Sequence, residues 1–254
     1  MINAENIFTL SRNKTAVEKY FKSVFSTPRA MMNEGKVELE AISRFIPDSG
    51  VFIDIGANIG TFSRRMIQMK PDAFVIAFEP QSLARNIFKS LLLSSRNKSI
   101  VVLPYALGKA DDFVQLHIPI KKARNIGIGL AHTGDATDLK DRFAVKSELV
   151  FQTTLDRILG HYDLGKVEFI KIDIEGGELN ALLGAEQTIA ANRPVILCEI
   201  DGREDRFQLT EADLVAFFER HKYDARSLST GEIIPFTALE QNTLFTPQEA
   251  TYPA

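Results

Sequence analysis

The run Val51 to Gly60, VFIDIGANIG, ends an apolar stretch in Asp54 and then sets Gly56, Ala57 and Gly60 around Asn58. Glycine at such a place lets the backbone turn sharply and approach a ligand closely, because no Cβ intervenes. A phosphate site here would need GxGxxG or GxxxxGK[ST], whose amides cradle negative charge. Neither pattern occurs. Asp54 would instead repel a pyrophosphate and attract a cation, or accept hydrogen bonds from an ammonium or hydroxyl. The next apolar run, AFVIAFEP, ends in Glu79 and Pro80, about one strand–helix–strand step further on. An acid there can accept hydrogen bonds from both ribose hydroxyls of an adenosine. The ligand so described is a nucleoside with free ribose hydroxyls, no phosphate and a positive end at the first turn. S-adenosylmethionine meets all three demands.

A second group of polar residues lies in FIKIDIEGGE. Lys171, Asp173 and Glu175 alternate with Ile170, Ile172 and Ile174, which places the charges on one face of a strand. Buried charge is costly unless paired or functional. Asp173 is the leading candidate to orient a hydroxyl and accept its proton, with Glu175 and Lys171 behind it. Glu199 and Asp201 end the neighbouring run PVILCEI. Asp173, Glu199 and Asp201 also form an oxygen-only set of the type that suits Mg²⁺; the metal-free reading is preferred. The four histidines, His117, His132, His161 and His221, share no ligand spacing; His132 reads first as a solvated loop residue and second as a group that reaches the pocket if the insertion folds over it.

The elements that must position these groups alternate. Strand-like runs at 51–56, 73–80, 99–107, 113–119, 167–174 and 194–200 are rich in Val, Ile and Phe, and helical patterns fall at 61–69, 81–95 and 178–192. Near-continuous apolar strands between helices predict a doubly wound α/β domain with a mostly parallel sheet. TEADLVAFFERHKY predicts a further helix, followed by strands near YDARSL and NTLFTP, with STGEII between them as an antiparallel ribbon. Residues 1–47 read as an N-terminal helical segment and 48–254 as the main domain. Residues 120–148 are polar and weakly periodic, which suggests a lid over the site or a mobile insertion.

Across 254 residues, 45% are hydrophobic and 25% charged, with a net charge of −3. That balance predicts a globular core and argues against a nucleic-acid partner, which favours basic patches. The one cysteine, Cys198, excludes an intrachain disulfide and a Cys/His zinc site. No apolar leader and no run long enough to span a bilayer is seen, so a cytoplasmic setting is expected.

With these motifs in place, the chain resembles the FkbM-type family of S-adenosylmethionine-dependent methyltransferases. VFIDIGANIGTFS, FEP, LPYALG, TTLDRIL, FIKIDIEGGELNALLGA and PVILCEI carry the resemblance over roughly residues 50–200, in order. It implies a seven-stranded sheet with one reversed strand near the C-terminus, and O-methylation of a sugar or natural-product hydroxyl. It further implies that Asp54, Gly56, Asn58 and Gly60 line the methionine end, that Glu79 takes the ribose, and that Tyr105, Ala106 and Leu107 lie near the adenine. Gly177 departs from the pattern, since relatives often carry His or a bulkier residue between the glycine and glutamate of EGxE. The rival expectations are a cofactor-binding protein without turnover and a dinucleotide-dependent oxidoreductase.

Overall fold

The computed structural model describes residues 36–95, 98–121, 125–126, 130–137, 143–162 and 164–252. The expected N-terminal helical segment falls on these residues only at α1 (Lys36–Ile42); the pattern predicted over 1–35 lies outside them.

Apolar runs form the strands of the central sheet: β1 (Ser49–Ile55), β2 (Asp72–Phe78) and β3 (Ile100–Leu103), then β8 (Val167–Ile172) and β9 (Val195–Glu199) after an excursion described below. β10 (Tyr223–Ser227), β11 (Ile233–Ile234) and β12 (Asn242–Pro247) complete it. Among the described residues the order is β11-β10-β12-β9-β8-β1-β2-β3. β3, β2, β1, β8 and β9 are mutually parallel, whereas β12 runs antiparallel to both β9 and β10. This is the expected Rossmann-like arrangement with its reversed strand. The eighth strand is the two-residue β11, the ribbon foreseen in STGEII.

Both faces of the sheet are buried, which explains why its strands read as continuous apolar runs. Val51, Ile53, Ile55, Ile170 and Ile172 point into one core, with Leu179, Leu182 and Phe218. Phe52, Val75, Phe169 and Leu197 point into the other, with Ile42, Met66 and Phe88. The helices that pack on the two faces are α1, α2 (Thr61–Met69), α3 (Ser82–Ser95), α4 (Leu155–Leu159), α5 (Glu178–Leu183), α6 (Glu186–Asn192) and α7 (Glu211–Arg220). α7 begins with a reciprocal cap: Asp213 N–H donates to Thr210 Oγ1, and Thr210 N–H donates to Asp213 Oδ2.

Two sequence expectations are corrected. The single helix predicted over 178–192 is two, broken at Gly184. A Cβ there would meet the Gly108 carbonyl oxygen at 2.0 Å, so the close approach of two backbones ends the helix. The strand predicted over 99–107 divides into β3 and β4 (Ala106–Leu107), because β4 leaves the central sheet for a second one. That sheet has the order β4-β7-β5-β6, from β5 (Asp112–Lys121), β6 (Asn125–Ile126) and β7 (Ala144–Thr153). Residues 120–121 and 144–148 of the polar 120–148 segment belong to the far end of a long ribbon, in which β5 and β7 pair antiparallel from Asp112↔Gln152 to Ile120↔Ala144. One face of the ribbon carries Leu116, Ile118 and Val150 into a small core of its own. Its other face is solvated, so its alternation is diluted by polar residues.

Candidate active site

The turn after β1 is built from its own sequence. Gly56 (φ 82), Asn58 (φ 52) and Gly60 (φ 78) all have left-handed backbones. Gly56 N–H and Ala57 N–H both donate to the Phe78 carbonyl oxygen at 3.0 Å, tying the turn to the end of β2. A Cβ on Gly56 would lie 1.9 Å from the Asp173 carbonyl oxygen, and one on Gly60 would lie 2.1 Å from the Phe88 ring. Gly56 is therefore required where two strand ends converge. Gly60 lets α2 seat closely against the Phe88 ring of α3.

Glu79 lies at the end of β2 and is 7% exposed. Its Oε2 accepts from Asn58 N–H and its Oε1 from Gln81 N–H, both at 2.7 Å. These bonds favour the charged form, but burial outweighs them and pushes the carboxyl up to about 7. The turn's amides are thus taken by protein oxygens, Phase by phase along the loop: Phe78 O for the first two and Glu79 for the third. No amide among these three remains for a phosphate.

Asp54 is 2% exposed and stands in direct register with Lys171 across β1 and β8. Its Oδ2 accepts from Ser63 Oγ at 2.5 Å, and its Oδ1 lies 3.9 Å from Lys171 Nζ. Burial pushes Asp54 up against the pull of that lysine. Lys171 Nζ also donates to Asp173 Oδ2 at 2.9 Å. Burial works to lower the Lys171 ammonium, yet Asp173 and Asp54 prevail and hold it above its usual value. For Asp173, burial works to raise the carboxyl, but Lys171 and a hydrogen bond from Glu199 hold it below the usual range. Glu199 is the counterpart: burial and then Asp173 push it up to about 8. The two carboxyls thus shift in opposite directions, Asp173 towards its anion and Glu199 towards its acid. Gln241 Nε2 donates to Glu199 Oε1 at 2.9 Å and fixes that side chain.

Glu175 departs from the alternation predicted for it. The strand ends at Ile172 and the chain turns through Glu175 (φ 62) and Gly176 (φ 105). The Glu175 carboxylate then meets Arg203, with Arg206 Nη1 at 3.8 Å. Arg203 Nη1 also donates to Asp201 Oδ2 at 2.5 Å. Asp173 and Glu199 are brought together while Asp201 is drawn to Arg203. Among the described residues no group of three or more His, Cys, Asp or Glu is arranged to hold a metal ion. Glu178 clasps the same turn: its Oε1 accepts from Ile174 N–H at 2.9 Å and Gly176 N–H at 3.3 Å, and burial pushes it up to about 7.

These strand ends open on a cavity of about 260 Å³. Gly56, Asn58, Glu79, Pro80, Ala106, Asp173, Glu175 and Glu199 line it, as do the apolar Ile55, Phe78, Leu107 and Ile174. The remaining predicted residues stand behind this wall: Ala57 is buried in the core, and Lys171 bridges Asp54 and Asp173. The sequence reading missed Asn180, Gln152 and Phe207, which also line the cavity. His132 is a correction, being 1% exposed and part of the cavity wall rather than solvated. Main-chain bonds in both directions, 2.8 and 3.2 Å, pin it to His117 on β5. The polar alternation of KSELVFQT was the available signal for β7 and Gln152. Nothing local distinguished Asn180 or His132.

The residues present fit S-adenosylmethionine. Each Glu79 oxygen accepts one amide bond and, as a carboxylate oxygen, has capacity for another. Asn58 Oδ1 is a buried acceptor without a hydrogen-bond partner among the described residues, at the turn where a cationic donor was expected.

The profile of the methyltransferase FkbM domain matches residues 54–225. Methyltransferase sdnD of Sordaria araneosa is 26% identical over 163 residues, covering 56% of this chain and 62% of its own. The AMB antimetabolite synthetase AmbE of Pseudomonas aeruginosa is 23% identical over 205 residues, which cover 70% of this chain and 10% of the synthetase. The chain thus spans less than two thirds of the length of either relative. The crystal structure of methyltransferase FkbM from Methylobacillus flagellatus KT shares the fold, with a TM-score of 0.51 and 21% identity over 78% of this chain and 44% of that one.

Proposed function

Because the chain belongs to the methyltransferase FkbM domain family, we propose that it transfers a methyl group from S-adenosylmethionine to a hydroxyl of a sugar or natural-product acceptor. The observation that carries this is the Glu79 arrangement. A buried carboxylate closes the turn after β1, takes the amide a phosphate would need, and faces the same cavity as the unpartnered Asn58 oxygen. That disfavours a dinucleotide, whose pyrophosphate would meet Glu79 rather than free amides.

Bound there, S-adenosylmethionine supplies a methyl group already activated on a sulfonium. The chain must then align the acceptor, exclude water and take up one proton. Asp173 stays ionised at neutral pH because Lys171 and Glu199 stabilise its charge, so it can accept a hydrogen bond from the incoming hydroxyl. Its low basicity suffices, since a hydroxyl oxygen becomes strongly acidic as its bond to carbon forms. Orientation of this type contributes several kcal/mol, and a positioned base about 10²–10⁴-fold. Lys171 acts through Asp173, and Glu175 through the turn it holds with Arg203.

Isothermal titration with S-adenosylhomocysteine and with NADH tests the cofactor. Binding of the first alone is expected; binding of NADH alone would overturn the proposal. Incubation with labelled S-adenosylmethionine and a panel of hydroxylated acceptors then tests turnover. Tight binding with no label transferred to any acceptor would favour a cofactor-binding protein instead.

A further inference from the structure

We propose that Asn180 recognises the adenine of the cofactor by accepting a hydrogen bond from its exocyclic amine. This rests on the S-adenosylmethionine reading above and extends it to a residue that neither the motifs nor the strand-end acids indicated.

Asn180 is the third residue of α5 and lines the cavity. Its Oδ1 is buried and has no hydrogen-bond partner among the described residues. A buried acceptor left unpaired is costly, so such an oxygen at a cavity wall points to a donor brought by the ligand. The place of Asn180 says which part of the ligand that is. Its carbonyl accepts from Gly184 N–H at 3.2 Å, and Gly184 packs against the Gly108 backbone, directly after β4. α5 is thereby held against the chain that continues from Ala106 and Leu107. The cavity wall beside it is apolar, from Phe78, Leu107 and Ile174, and suits the flat faces of a purine. Beside it, Gln152, paired with Ala106 across β4 and β7, spends its Nε2 on the Ala110 carbonyl at 3.1 Å. The carboxamide of asparagine matches adenine because its oxygen accepts from N6 while its nitrogen can donate to a ring nitrogen.

The test compares S-adenosylhomocysteine with S-inosylhomocysteine, in which the amine donor is replaced by a carbonyl acceptor, by isothermal titration. A preference for the adenosine form on the order of ten- to a hundredfold is expected for the native protein. Asn180→Leu should bring that ratio close to one, mainly by weakening the adenosine form. Asn180→Asp retains an acceptor oxygen and should keep the preference, which preserves the test should the leucine variant not fold. Unchanged discrimination in Asn180→Leu, or none in Asn180→Asp while S-adenosylhomocysteine still binds, would overturn the assignment of Asn180 and leave the cofactor standing. If the native protein binds neither compound, the cofactor reading fails and this inference with it.

Discussion

At the scale of single residues, the site turns on carboxylates whose surroundings give them different work. Glu79 is held by two amides and pushed up to about 7, which suits an acceptor of hydrogen bonds from neutral hydroxyls. Glu79→Gln should weaken S-adenosylhomocysteine about ten- to a hundredfold, because hydrogen bonds to a charged group are worth about 1.5–3 kcal/mol. Calorimetric affinity within twofold of native would remove Glu79 from the site. Asp173 is pulled the other way by Lys171 and stays an anion. Asp173→Asn should lower kcat by about 10²–10⁴ while cofactor affinity changes little. A variant with native kcat would rule out its role in handling the acceptor proton.

At the scale of elements, the turns depend on backbone geometry more than on side-chain chemistry. Gly60 combines a left-handed backbone with a Phe88 ring where its Cβ would stand, whereas Gly165 has a similar φ of 85 and open space around it. Comparing the two separates sterics from conformation. Gly165→Ala should cost about 1 kcal/mol for the strained φ alone, and Gly60→Ala about 2–4 kcal/mol through the added clash. Urea unfolding midpoints measure both. Equal losses would show that α3 yields freely and that the Gly60 contact does not fix the start of α2.

At the scale of the whole molecule, the buried Glu79 and Glu178 and the half-buried Glu199 tie stability to pH. Glu79 and Glu178 are raised from 4.5 to about 7 and Glu199 from 4.5 to about 8, with burial the leading cause in each. The folded protein therefore holds protons that the unfolded chain releases. Stability from these groups is fully present below about pH 4.5 and is lost as pH rises towards 8. Asp173 has the opposite sign: its contribution is present above its ordinary 3.8 and is lost in acid. Thermal unfolding of the ligand-free protein should thus show a midpoint that declines between pH 5 and 8. Glu178→Gln, which keeps an acceptor oxygen without a titrating group, should flatten the decline by about 1–3 kcal/mol. An equally steep profile would show that Glu178 is not protonated in the fold.

Local pattern determined much of this protein. The apolar strands, the glycine turn with Asp54 before it, Glu79 at the second strand end and the reversed last strand were legible because each follows from short-range periodicity or from a backbone demand that only certain residues meet. The cavity wall formed by that turn and by Glu79 was legible for the same reason. What only the tertiary structure decided arises from contacts between distant segments. Gly184 breaks a helix because Gly108 crosses it. Glu175 turns away from Asp173 because Arg203, 28 residues later, claims it. Asp201 is drawn from Glu199 by the same arginine, and His132 is buried because β5 and β7 fold a polar segment into a sheet. Periodicity reports which face of an element is apolar; it does not report which other element that face, or a charge upon it, will meet.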